Sequence, residues 1–548
     1  IPAATMAAVG VYAVWAGPYT EVPADAWWHI GHINDWLTDE LPGGHLGSYG
    51  SLQEAFDKSS QHWHAIAAYL LHVSGMQITD ALGWLSIANT LLLSAAVYSF
   101  GLLVFRDLAA SHATRHAVAA AAVLFFVTQF GISVFAYIRY YSFAPTLPAY
   151  IVYLAALGCF IEFTRHTENG YRYLAVAVAL TVAAAALHMQ EALFMVVLSG
   201  LIVLWEYVRI ARRLGAAWGV RPAAYTGEAR PRIAALLAFF LLAYVSVHGL
   251  AYVLLDRHNP LNHGVMADIH NYVPFLQNLY ILQPTYQFYQ VVTAWGVLVY
   301  VLFAFSIRRF SSSSYLVAGM ALPFVTVFNP VFTDFFLRFS WPEVLWRVCY
   351  ALPLPFVGGY LLVRFLSQAV QGGRFGARVA GLVAVVAMTG LLLPIHSTFV
   401  TSPHSKIYTL APVGPGNDHR LWADLFAFLR DRESRGLITD PVTGYLARSL
   451  TGHRYPGYKF FGQGAFPVNQ DRYQTQDFAG RNGWLVVINR RDGAASAAGR
   501  YGRHWPEEVM KVSQRYSGAF TDYVTGHPEQ FTKVWSRDGI SVYRVEAS

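Results

Sequence analysis

Gln190-Glu191-Ala192-Leu193-Phe194-Met195-Val196-Val197-Leu198-Ser199-Gly200-Leu201-Ile202-Val203-Leu204-Trp205-Glu206-Tyr207-Val208 is an apolar run closed by Arg209, Arg212 and Arg213. A helix needs about 17–25 apolar residues to cross the hydrocarbon of a bilayer. Runs near that length recur around 2–17, 81–105, 116–137, 145–163, 172–187, 190–208, 233–255, 287–306, 314–333, 344–366 and 378–395, eleven in all. The fifth and sixth are parted only by Leu187-His188-Met189-Gln190-Glu191. The expectation is a mainly α, polytopic transmembrane helical bundle of about 11 spans over residues 1–395, followed by a small C-terminal extracytoplasmic α/β domain over 396–548.

Composition agrees. Of 548 residues, 55% are apolar and only 13% charged, about half the usual soluble share. A soluble globular enzyme and a disordered chain are both excluded. The excess of 39 Lys and Arg over 32 Asp and Glu does not point to nucleic acid, because the bases sit between apolar runs instead of forming one stripe. Cys159 and Cys349 both fall inside apolar runs, so no disulfide framework exists. The chain opens at Ile1 within an apolar run, without Met or a basic n-region, which suggests a missing stub and not a cleavable signal.

Alternate loops carry the bases. Fifteen arginines, from Arg106 and Arg115 through the 209–232 loop to Arg364, Arg374 and Arg378, lie on one side. Lys58, Arg139, Arg257 and Arg338 are the four on the other. The positive-inside rule then predicts a cytoplasmic N-terminus, with 18–80, 256–286 and everything after 396 facing outward. The Arg- and Ala-rich composition suggests a bacterial inner (plasma) membrane, with the last domain periplasmic or extracellular.

Within 396–548, Ala423–Arg435 reads as an amphipathic helix, 436–440 as a short strand, Pro441 to Leu450 as a helix and Trp484–Ile488 as a buried strand. Phe531–Trp535 and Ile540–Val545 flank Ser536-Arg537-Asp538-Gly539 as a hairpin.

The first outward loop, 18–80, holds two interfacial helices. In Ala24-Asp25-Ala26-Trp27-Trp28-His29-Ile30-Gly31-His32, spacings of four and seven put Asp25, His29 and His32 on one helical face. Three readings of that face stand together: a capped interfacial helix, a general base in Asp25, or a metal site from Asp25, His29 and His32. His62 and His64 open the second helix on different faces, which argues against a joint metal site from that pair.

A second polar set lies at the outer ends of the spans: Arg139, Tyr140 and Tyr141; His188, Gln190 and Glu191; Glu343 and Arg347. Ionisable groups at membrane depth usually face a functional or water-filled site, though snorkelling or a Glu343–Arg347 pair would also account for some. The 256–286 loop, with Asp256, Arg257, His258, His263, Asp268 and His270, reads as a lid or an ordinary interfacial loop. No phosphate-binding Gly-rich loop, zinc-protease motif or nucleophile elbow is present.

This layout resembles the integral-membrane GT-C glycosyltransferases, which take sugar from a polyprenyl-phosphate donor. The resemblance spans the whole architecture. In residues it rests on 24–30, on His62-Trp63-His64-Ala65 with Leu70 to Gly75, on Leu187 to Glu191, and on Trp346-Arg347-Val348-Cys349-Tyr350-Ala351-Leu352-Pro353. It implies inverting transfer to a glycan, lipid or protein acceptor on the outer membrane face. Asp25 would be the base, with Asp35 the other option because the family's acidic pair is replaced here by Asp25-Ala26. Arg347, Arg139 and His188 would bind the donor phosphate. Glu191, Tyr140, Tyr141, His29, His62 and His64 would orient groups or meet the acceptor. The implied partners are the polyprenyl-phosphate sugar, a glycan or lipid acceptor and membrane lipids; the cofactor is unknown, a divalent metal being one option. The alternatives are a transporter or flippase of a lipid-linked glycan, or a lipid-linked oligosaccharide polymerase or ligase.

Overall fold

Long apolar helices dominate the computed structural model, which describes residues 1–15, 24–37, 61–76, 78–109, 111–128, 145–165, 170–216, 272–276, 279–284, 292–337, 342–390, 417–432, 436–440, 443–444, 447, 451, 482–489, 507–537 and 539–546. The helices before residue 220 are α1 (Pro2–Trp15), α2 (Ala24–Leu37), α3 (Gln61–Ser74), α4 (Ile78–Val104), α5 (His112–Thr128), α6 (Thr146–Arg165), α7 (Gly170–Leu187) and α8 (Met189–Ala216). A hairpin of β1 (Tyr272–Leu276) and β2 (Leu279–Leu282) lies at the end of the 256–286 loop. Then come α9 (Thr293–Phe310), α10 (Ser314–Val325), α11 (Pro330–Leu337), a 3₁₀ helix at Pro342–Ala351, α12 (Leu354–Gln371) and α13 (Phe375–Gly390).

Among the described residues, three helices are long and apolar enough to cross a membrane: α6, α7 and the Met189–Tyr207 part of α8. The count rises to five if two bent pairs each form one span. The count covers the described residues alone and does not confirm the expected eleven; the 233–255 run lies wholly outside them. The apolar runs are broken by local chemistry. Ser314–Val325 and Pro330–Phe336 meet at 81°. There Asn329 caps the second helix, its Oδ1 accepting from Val331 N at 3.0 Å, and Pro330 takes the first helical position. Leu345–Ala351 and Leu354–Gln371 meet at 42°, where Pro353 removes an N–H from the ladder.

Helix α7 shows what surrounds the bundle. Only 17% of its 18-residue apolar window is buried, and Val176, Val178 and Val182 point outward. Water would penalise that face, whereas lipid chains do not. Inside, Phe105, Phe125, Phe126, Tyr153, Trp295, Phe310 and Phe356 anchor one large core. At one end of the bundle Arg106 and Arg165 both hold the buried Glu162 at 3.1 Å. Arg165 also reaches Asp107 at 2.9 Å and donates to Leu103 O at 2.9 Å, closing the C-terminus of α4.

The chain ends in a sheet unit: α14 (Asn417–Arg430), β3 (Leu437–Thr439), β4 (Leu485–Asn489), α15 (Glu507–Gly526), β5 (Phe531–Arg537) and β6 (Ile540–Val545). Strand order is β3-β4-β6-β5, with β3 and β4 parallel and the rest antiparallel. The expected strands and hairpin are present, and Gly539 turns the hairpin at φ +85°. Helix α14 begins six residues before the expected Ala423, and α15 was not foreseen. Of the helix expected from Pro441, only residues 443–444 and 447 are described before Leu450. Period-two alternation splits the sheet faces: Ile438, Val486 and Ile488 pack on Phe520 and Val524 of α15. Leu437, Leu485, Val487, Ile540 and Val542 join Leu425, Phe426 and Leu429 of α14, and that cluster continues into Ile30, Ile33, Trp63, Ala67 and Leu71 of α2 and α3.

Helices α5 and α12 approach closely at Gly359, where an added Cβ would lie 2.7 Å from Ala122 N and 2.9 Å from Val118 O. Backbone atoms cannot yield as a flexible side chain would. Gly359→Ala should therefore cost about 1–3 kcal/mol and lower the melting temperature of the detergent-solubilised protein. An unchanged melting curve would mean that the two helices part without penalty.

Candidate active site

The helix ends opposite the Glu162 cluster bring the site together. Helix α6 runs about 28 Å at 1.5 Å per residue, so Thr146 lies far from Arg165. Tyr150, one turn in from Thr146, donates its hydroxyl to Tyr350 O at 2.9 Å. That bond seats the C-terminal part of the 3₁₀ helix beside the start of α6, and Arg347 is one 3₁₀ turn earlier. Helix α7 packs along α6 after a four-residue connection, returning Leu187 to the same end.

One residue, His188, separates α7 from α8. It stands at the N-cap of α8, and Glu191 stands in the first turn, where the helix dipole favours an anion. His188 Nδ1 donates to Glu191 Oε2. Glu191 is fully buried, as is nearly all of Gln190. Glu191 Oε1 takes no hydrogen bond from any described residue.

Helices α2 and α3 pack on each other and α3 packs on α7, with Leu187 touching their shared apolar cluster. Ile30 and Ile33 of α2 face Trp63, Ala67 and Leu71 of α3 in that cluster, which fixes the neighbouring histidines. His29 Nδ1 and His64 Nε2 are 2.8 Å apart, so one donates to the other. His32 stacks on His64, with centroids 5.3 Å apart and planes 15° from parallel. Burial holds His64 well below the ordinary histidine value, and His29 and His32 add to the effect. His29 is lowered in the same way, by burial first and then by His32, His188 and Arg347. Both rings are therefore neutral at neutral pH, able to exchange hydrogen bonds or to ligate a metal but not to act as fixed cations.

The residues singled out in the sequence fall into three groups. His29, His32 and His64 meet directly, and His188 and Arg347 lie within electrostatic reach of His29. His62 sits two residues before His64 on α3. Asp25 lies on α2 one turn before His29, but its side chain, like those of Asp35 and Glu343, lies outside the described residues, and so do Arg139, Tyr140 and Tyr141 entirely. The Asp25, His29, His32 metal set is thereby outside what is described. Among the described residues no group of three His, Cys, Asp or Glu is arranged to hold a metal. Sequence reading grouped His29 with His62 and His64 only through the resemblance and did not foresee the direct His29–His64 contact. The signal available was the apolar spacing of Ile30 and Ile33 against Trp63, Ala67 and Leu71, which implies two packed helices.

No family model and no curated protein matches the chain. Among solved structures it is similar to the oligosaccharyltransferase of Archaeoglobus fulgidus tethered to an acceptor peptide containing the NVT sequon, at 12% identity and TM-score 0.47, over 100% of this chain and 74% of that one. It is also similar to the archaeal oligosaccharyltransferase AglB from Archaeoglobus fulgidus in complex with an inhibitory peptide and a dolichol-phosphate, at 13% identity and TM-score 0.47, over 99% of this chain and 74% of that one. Likeness of this order does not specify an activity.

Burial of His29 and His64 has a thermodynamic consequence. Below about pH 6.5 the unfolded chain takes up protons that these two rings resist in the folded state. Folded pKa values below the unfolded one mean that stability is full above that pH and falls as pH drops beneath it. Melting temperature should decline between about pH 7 and pH 5, and less steeply in His64→Gln. Parallel slopes for the two proteins would show that the pair does not titrate as described.

Proposed function

We propose that this chain is a membrane glycosyltransferase that moves a sugar from a polyprenyl-phosphate donor to a glycan, lipid or protein acceptor. The observation that carries this reading is the convergence of the first-loop histidines with the His188–Glu191 pair and Arg347 at one end of an apolar bundle. A carboxylate on the same helix, Asp25, precedes His29 by one turn. A lipid-linked phosphate leaving group and a hydroxyl acceptor need cations and a base at such a place.

The reaction is a single displacement. An acceptor hydroxyl oxygen bonds to the anomeric carbon as the bond from that carbon to the phosphate oxygen breaks. The proton passes to Asp25, and the polyprenyl phosphate leaves with the electron pair, so the anomeric centre inverts. Arg347 and His188, with Arg139 a further candidate, balance the charge gathering on the phosphate. His29 and His64, neutral and buried, hold polar groups in place. A divalent metal, if one is used, would draw on Asp25, His29 and His32 and would neutralise phosphate charge.

On this reading residues 1–395 form the transmembrane module, and 396–548 form an extracytoplasmic domain that bears on α2 and α3 and borders the acceptor side. The site then opens on the outer face of a bacterial plasma membrane, the side opposite the arginine-rich loops.

Sugar transfer by the purified chain from a mixture of polyprenyl-phosphate sugars tests the reading. Asp25→Asn keeps the shape and capping capacity of the side chain and removes the base. Transfer should fall by about 100-fold or more while donor binding persists. Full activity in the variant would move the base to Asp35. Absence of transfer by the wild type with every donor and acceptor class supplied would sink the transferase reading in favour of a transporter.

A further inference from the structure

Helix α5 opens with a histidine pair that belongs to no part of the candidate active site. Ser111 caps the helix, its Oγ accepting from Thr114 N at 3.1 Å, so the first turn starts at His112. His112 and His116 are four residues apart, which puts them within about 40° of each other around the axis. Their ring centroids are 4.3 Å apart, the planes are tilted by 56°, and the two Nε2 atoms approach to 3.3 Å. The rings therefore lean together at their Nε2 edges instead of stacking face to face.

The far edge of His116 is held from behind. Tyr98 of α4, anchored in the main core, places its hydroxyl oxygen 2.6 Å from His116 Nδ1. When Nδ1 carries the ring hydrogen and donates it to that oxygen, the lone pair of the imidazole stands at Nε2. An outer partner of this kind fixes the tautomer and direction of a metal-binding histidine. His112 is exposed and His116 half-buried, so an ion reaches the pair from solvent.

The spacing of the nitrogens selects the ion. At 3.3 Å they are farther apart than in an ordinary N–H hydrogen bond, about 2.7–3.2 Å. Two imidazoles on one tetrahedral Zn²⁺, each at about 2.0–2.1 Å, bring their nitrogens about 3.3–3.4 Å apart. Right-angled octahedral bonds of the same length would need about 2.8–3.0 Å. Mg²⁺ and Ca²⁺ take oxygen ligands and do not suit two imidazoles.

We infer that His112 Nε2 and His116 Nε2 form a two-imidazole chelate for Zn²⁺, with Tyr98 as the residue that positions His116. No third His, Cys, Asp or Glu joins them among the described residues, so water completes the coordination. Both ligands lie in the first two turns of α5 and Tyr98 lies on α4, so the ion staples the start of α5 and tightens its junction with α4. The chelate stands at the end of the bundle that holds Glu162, away from His29 and His64. It depends on nothing in the transferase reading.

Equilibrium dialysis of the tag-free full chain in nanodiscs against Zn²⁺ tests this. At equal free Zn²⁺ the wild type should hold one equivalent more than His112→Ala or His116→Ala, and Asp25→Asn should keep that equivalent. Tyr98→Phe retains the ring and loses the hydroxyl, and should weaken binding at this place about tenfold. Zn²⁺ should raise the melting temperature of the wild type more than that of His112→Ala, because an ion held only by the folded chain stabilises it. Equal zinc content in the wild type and both histidine variants would overturn the inference. Loss of the same equivalent in Asp25→Asn would assign the ion to the first loop and be equally fatal. Mg²⁺ binding that matches Zn²⁺ and is lost in the same variants would exclude a nitrogen chelate. His112 is exposed at a helix start, where alanine is well tolerated, so His112→Ala carries the test alone if His116→Ala does not fold.

Discussion

Helices α2 and α3 depend on burial that neither could achieve alone. Each is fourteen residues long, close to the length at which an isolated helix is marginal in water. Their shared face, through Ile30, Ile33, Trp63, Ala67 and Leu71, is closed on one side by α14 and the sheet and on another by Leu187 at the end of α7. The apolar seam sets where His29, His32 and His64 stand, because each lies within one residue of a side chain in it. If the seam opened, the histidines would regain water, and their lowered affinity for protons would go with it.

The two ends of the bundle handle charge differently. At one, Glu162 is shared by Arg106 and Arg165, and Arg165 also closes the end of α4, so each charge is answered by a structural partner. At the other, Glu191 is met by the partially exposed imidazole of His188, and His29 lies within electrostatic reach of Arg347. The first arrangement holds helices together. In the second, a fully buried carboxylate is held by a ring that is itself one-fifth exposed.

Much of this was legible in residues. Apolar runs named the helices, and Asp538-Gly539 named the hairpin turn. The breaks within the runs were harder to read, because Pro330 and Pro353 look in sequence like residues tolerated at helix starts. Only the structure shows the 81° and 42° bends they accompany. The ten-residue 3₁₀ segment carrying Arg347 was read as part of a continuous span, since its apolar content is the same in either helix type.

The sequence by itself determined that the chain belongs in a bilayer and which short stretches carry ionisable side chains, because hydrophobicity and charge are properties of residues taken singly or in windows. It also set the His188–Glu191 spacing, since a contact three residues apart follows from one helix turn. The tertiary structure alone decided that His29 meets His64 across thirty-five positions of chain, that Tyr150 reaches Tyr350 across two hundred, and that the C-terminal sheet closes over α2 and α3. Those contacts join segments whose local patterns carry no record of one another. They form because burying several incomplete apolar faces together removes more surface from water than burying any one alone.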